Sequence, residues 1–134
     1  MGAIEGDERM RALKFLVASL LIPGAALAQG AGSDYQSRVY RLAEILGTLH
    51  AARPACEPAE ETHWRDRMQE LIRLERPTTD QRNEMIGRFN TGYAAGQRYS
   101  ACTDAARAYA ANAAREGEQI SRALAVVVDQ SGGN

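Results

Sequence analysis

The chain predicts an all-α fold: a small antiparallel four-helix bundle stapled by one disulfide, following a cleaved N-terminal signal peptide. Three observations predict it. Four stretches carry apolar residues at alternating spacings of three and four with no strand-like alternation, Pro and Thr punctuate the joins between them, and the only two cysteines, Cys56 and Cys102, fall in the first and third joins. In an up-down-up-down bundle those two joins lie at the same end, so the cysteines are placed to pair. Such a bond closes a loop of about 47 residues and stabilises the fold by about 4 kcal/mol on a loop-entropy argument. The rival reading is a pair of free or metal-binding thiols.

The start of the chain reads as a targeting segment. Met10-Arg-Ala-Leu-Lys14 is a basic lead, Phe15 to Ile22 is an apolar run too short to span a bilayer, and Pro23-Gly24 breaks it. Ala26-Leu-Ala28 then offers small residues where a signal peptidase needs them. Cleavage is expected after Ala28. Glu5, Asp7 and Glu8 would oppose normal orientation of a basic lead, which places the true start at Met10. The domains are therefore a signal peptide over 1–28 and a single helical domain over 29–134, of about 106 residues. Of the 16 basic and 17 acidic residues, three of each lie in the signal, leaving 13 and 14. A near-neutral mature chain argues against nucleic acid or an anionic membrane as the main partner.

Each helix has its own signature. Gly30-Ala-Gly32 is a flexible lead-in and Ser33 with Gln36 forms a capping box, so the first helix is expected to begin there. Tyr35, Val39, Leu42, Leu46 and Leu49 make its apolar stripe, Arg38, Arg41, Glu44 and Thr48 face water, and Pro54 ends it near Ala52. Pro58 opens the second helix, with Trp64, Met68, Leu71 and Ile72 on its buried side, and Pro77 stops it. Thr78 or Thr79 caps a third helix running to about Ala101, and Arg88 to Asp104 reads as the core helix with its covalent anchor. Gly92 and Gly96 lie one turn apart on it and each costs up to about 1 kcal/mol relative to Ala, which points to close approach against the alanine-rich fourth helix. That helix, capped by Thr103, repeats Ala106, Ala110, Ala113, Gly117, Ile120, Leu124 and Val127 at heptad spacing, with a fraying tail from Asp129.

Catalytic and cofactor motifs are not found. There is no haem-attachment Cys-x-x-Cys-His, zincin His-Glu-x-x-His, phosphate loop or nucleophile elbow. His50 and His63 flank a turn, within reach of one metal ion together with Glu60 or Glu61, yet that position is usual for solvated cap residues and no metal site is assigned. Glu44 and Glu70 read as surface charge rather than a glycosidase carboxylate pair. Arg53, His63, Trp64 and Tyr99 gather at the disulfide end and form the candidate binding surface, since Trp, Tyr and Arg dominate interaction hot spots. The alternative is that Trp64 and Tyr99 only cover the disulfide. Asn90 and Tyr93 are the candidate interior polar groups.

The segments Leu42-Ala-Glu-Ile-Leu-Gly-Thr-Leu-His50, Cys56, Trp64-Arg65 with Met68, Leu71 and Glu75, Phe89-Asn90 with Gly92-Tyr93, Tyr99 with Cys102-Thr103, and Glu116-Gly117 resemble an uncharacterised family of small exported alphaproteobacterial two-cysteine helical proteins, a domain of unknown function. The resemblance implies a periplasmic disulfide protein and supplies no activity. The function expected is a non-enzymatic module, without cofactor or membrane span once the signal is removed, binding another envelope protein or an envelope polymer. The alternative is a small-ligand or metal-binding helical bundle, and a peptidoglycan-acting hydrolase ranks behind both.

Overall fold

A computed structural model describes residues 24–133, with side chains from residue 32. The chain divides into two units, Met1–Gly32 and Ser33–Asn134. The expected start at Met10 and the apolar run of the signal peptide lie outside the described residues.

Among the described residues there are four α-helices: α1 (Gly24–Ala52), α2 (His63–Glu75), α3 (Thr79–Gly96) and α4 (Asp104–Gly132). Short 3-10 turns at Arg53–Ala55, Pro58–Glu60 and Gln97–Tyr99 fill the joins. None of the described helices is long and apolar enough to cross a membrane. Local chemistry sets most of the ends. Pro54 disfavours helical geometry at Arg53, so α1 stops at Ala52. Arg76, ahead of Pro77, turns into the left-handed region (φ 46°, ψ 53°), and its N–H donates to the Ile72 carbonyl at 3.2 Å to close α2. Thr78 and Gln81 form a reciprocal capping box, with Gln81 N–H donating to Thr78 Oγ1 (3.3 Å) and Thr78 N–H to Gln81 Oε1 (2.9 Å). Thr103 Oγ1 accepts from Ala106 N–H at 3.1 Å and starts α4.

Four ends differ from the sequence reading: Pro58 opens only the 3-10 turn Pro58–Glu60, and α2 itself begins at His63. Ser33 sits inside α1, which is already helical at Gly24, because Ala25, Ala26, Leu27 and Ala28 favour helix enough to carry Gly30 and Gly32 with them. At the other end of the chain α4 continues through Asp129 to Gly132 instead of fraying, and α3 gives way to a 3-10 turn at Gln97 rather than reaching Ala101.

The core belongs to α1. Among the described residues, seven of the twelve that are apolar and buried, Val39, Leu42, Ala43, Ile45, Leu46, Leu49 and Ala52, lie on it, so α1 rather than the Arg88–Asp104 stretch is the helix about which the others pack. Tyr35 pairs with Glu75, and Trp64 packs at the Ile45–Leu49 level, so α2 runs antiparallel to α1. Arg41 pairs with Glu116 and Leu124 reaches Val39, so α4 is antiparallel as well. Gln81 meets Gln36 and Gly92 meets Thr48, which makes α3 parallel to α1. The disulfide Cys56–Cys102 (Cα–Cα 4.9 Å) joins the first and third connections at one end, as the topology requires.

Gly92 and Gly96 do not pack on α4. A Cβ on Gly92 would stand 1.8 Å from the Glu44 carbonyl oxygen, one on Gly47 would stand 1.9 Å from that of Phe89, and one on Gly96 would meet the Thr48 carbonyl at 2.6 Å. The reciprocal glycines bring α1 and α3 together backbone to backbone, where no side chain fits. Thr48, expected in water, is 8 % exposed in this contact, and its Oγ1 donates to the Gly92 carbonyl at 3.2 Å. The four residues facing α3 (Glu44, Gly47, Thr48, Ala51) and the four aliphatics Leu42, Ile45, Leu46 and Leu49 point about 160° apart at 100° per residue. One face of α1 is small and seats α3; the opposite face is large and is shared by α2 and α4.

Candidate binding groove

On that aliphatic face α2 and α4 stand apart and leave a groove. Its first segment, about 410 Å³, has Leu42, Ile45, Leu46 and Leu49 as floor, Trp64 and Leu71 on the α2 wall, and Ala114 and Gly117 on the α4 wall. A second segment, about 570 Å³, shares Leu42, Leu71, Leu74 and Ser121 with the first and continues past Leu124 to Tyr35, Glu75 and Val128. The two form one channel along α4. Its floor residues are all at most 9 % exposed, whereas Leu74 and Val128 at its mouth are 61 % and 57 % exposed. The groove has a buried aliphatic floor and an apolar lip.

Gly117 is what allows the wall to be thin at this point. A Cβ there would lie 3.1 Å from Ile45 Cγ2 and 3.7 Å from Leu42 Cδ1, so any side chain would press into the floor. Ser121 adds no unmet polar group, because its hydroxyl donates to the Gly117 carbonyl at 2.8 Å. Charge is confined to the rim. Glu70 bonds Arg67 at 2.8 Å and lies 4.0 Å from Arg73, while Glu118 bonds Arg122 at 2.6 Å; of these, Arg67, Glu70 and Glu118 line the first segment. At the far end the Tyr35 hydroxyl donates to Glu75 at 2.9 Å. Burial first, and that bond second, push its pKa up to about 12.

The residues singled out at the disulfide end are mostly occupied with each other. Arg53 bonds Glu60 through two nitrogens (3.0 and 3.1 Å), and Trp64 Nε1 donates to the same carboxylate at 3.0 Å. The Arg53 bond, with a smaller contribution from Trp64, holds Glu60 below the usual carboxylate range. His63 stands edge-on to Trp64 (centroids 4.7 Å apart), and Tyr99 stacks on Tyr109 at 4.1 Å. Of Arg53, His63, Trp64 and Tyr99, only Trp64 also lines the groove. Asn90 is exposed on α3 and Tyr93 is 37 % exposed, so neither is an interior polar group; the α1–α3 contact is too close to admit a pocket between them.

His50 lies against Phe89 and Tyr93 of α3 (5.7 and 5.5 Å), and the described residues contain no cluster of three metal-ligating side chains. Glu44, held by Arg41 (2.9 Å) and near Arg88 (3.9 Å), faces α3, while Glu70 faces the groove. Sequence reading missed Ile45, Leu74, Ser121 and Val128 as site residues. The available signal was that Leu74 and Val128 are large aliphatics lying outside the buried stripes of their own helices.

Comparison with known proteins gives a match to a family model described as a protein of unknown function, over residues 34–127. No curated protein and no solved structure matches.

Proposed function

The chain belongs to that family, DUF2385, and from its groove and its disulfide we propose that it is an exported, non-enzymatic module that binds an apolar ligand between α2 and α4. The observation that carries the reading is the groove itself, a largely apolar channel with a buried aliphatic floor. Export is supported by the Cys56–Cys102 bond, which persists in an oxidising compartment such as the periplasm, together with the signal-like segment before Ala28. A binding role is favoured over hydrolysis because Glu44 and Glu70 lie on different sides of α1, each already engaged by arginine.

This shifts the binding surface from the disulfide end to the channel that begins at Trp64. Trp64 is the only tryptophan of the chain, so its emission reports directly on the first groove segment. The test is titration of the folded protein with the apolar dye anilinonaphthalene sulfonate, following energy transfer from Trp64. Saturable transfer in the intact protein, lost in Leu74→Arg with an unchanged circular dichroism spectrum, is the expected result. Absence of dye binding by the folded protein would remove the groove as a functional site.

A further inference from the structure

Resting on the groove as a binding site, we infer that the Cys56–Cys102 bond completes it: closing the disulfide pins together the leading ends of the two walls and, through Arg53 and Glu60, sets Trp64 in place. Both walls start at that bond. α2 and α4 each run antiparallel to α1, so their N-terminal ends lie at the same end of the bundle; the join that carries Cys56 leads into α2, while Cys102 stands just ahead of the Thr103 cap of α4. The bond, with a Cα–Cα separation of 4.9 Å, therefore ties one wall's lead-in to the other's.

The tie reaches the groove through a run of short links. Cys56 N–H and Glu57 N–H donate to the Arg53 carbonyl (3.1 and 2.8 Å), the Arg53 guanidinium bonds the Glu60 carboxylate (3.0 and 3.1 Å), and that carboxylate accepts from Trp64 Nε1 (3.0 Å). Trp64 lines the first segment. Without the bond the join has little to hold it. Neither of its 3-10 turns buries a residue, and the Arg53–Glu60 pair, with side chains 31 % and 29 % exposed, is of a kind that contributes little alone. Cys102 is exposed and Cys56 half-buried, so an oxidant that carries a protein disulfide meets Cys102 first. The Cys102 thiolate attacks that disulfide and displaces one of its sulfurs; the Cys56 thiolate then attacks Cys102 Sγ and displaces the other. Two electrons and two protons pass from the cysteine pair to the oxidant, which leaves as a dithiol. In the reduced chain the walls are unpinned, and binding begins with oxidation.

The experiment compares the purified full chain, oxidised and after reduction with dithiothreitol, by anilinonaphthalene sulfonate titration and by acrylamide quenching of Trp64, with circular dichroism to show that each form is folded. Reduction is expected to weaken dye binding about fivefold or more, as preorganisation is lost, and to raise the quenching of Trp64. Glu60→Ala keeps the disulfide and removes the link to Trp64. It should weaken dye binding about threefold or more in the oxidised protein, and reduction should then cost it less than it costs the wild type, because both changes act through one chain of contacts. If reduction unfolds the chain, the oxidised Glu60→Ala protein decides. Normal dye binding by that variant, or dye binding and Trp64 quenching unchanged by reduction of a folded chain, would overturn the coupling and leave the groove standing. Absence of dye binding in every form would remove both.

Discussion

Two residues show how a side chain's partner, more than its type, sets its role. Thr48 reads as a polar position on an amphipathic helix, and in the fold it is buried because the glycines of α3 let a backbone approach it. His50 reads as a solvated cap, yet its ring packs between Phe89 and Tyr93 and its buried Nδ1 has no hydrogen-bond partner. Burial first, and the Arg65 guanidinium second, hold the imidazole below its ordinary 6.5, against smaller opposing effects of Asp66 and Glu61. Between that lowered value and 6.5 the unfolded chain binds more protons than the folded one, so this contribution is present above 6.5 and is lost as pH falls through the folded value. Thermal melts should therefore show stability declining from pH 7.5 toward pH 5, with a shallower decline in His50→Phe. Identical slopes would mean that His50 titrates as it does in the unfolded chain.

At the scale of the element, caps and breakers were legible and face assignments were legible only in part. Thr78, Thr103 and Pro54 act within a turn of themselves, so their chemistry is readable along the chain. The destination of Gly92 and Gly96 was not, because an alanine-rich α4 and a glycine-bearing α1 offer equally small surfaces, and only the packing chose α1. The contact makes a sharp prediction. Gly92→Ala places a methyl on the Glu44 carbonyl and should cost about 3 kcal/mol. Gly87→Ala, where an added Cβ meets nothing within 4 Å, should stabilise α3 by about 0.5–1 kcal/mol. Urea unfolding with the disulfide intact measures both, and an unshifted midpoint for Gly92→Ala would rule out backbone-to-backbone packing of α1 on α3.

For the whole molecule, the disulfide and the topology support each other. Cys56 and Cys102 lie 46 residues apart, and their bond should contribute about 4 kcal/mol by restricting the unfolded chain. The Cys56→Ala/Cys102→Ala protein should lose that much in denaturant unfolding and become insensitive to reductant; equal stability with and without the bond would assign it no structural role. Helix number, the ends set by Pro54, Pro77, Thr78 and Thr103, and the cysteine pairing were legible in the sequence alone, because each rests on periodicity, capping or chain order. What only the tertiary structure decided is that α1 is buried on both faces, that α3 seats on its small face, and that α2 and α4 part over its large one. The physical reason is that a stripe of leucines reports burial without naming what buries it. The groove exists because two helices at a distance in sequence leave a face of a third only partly covered.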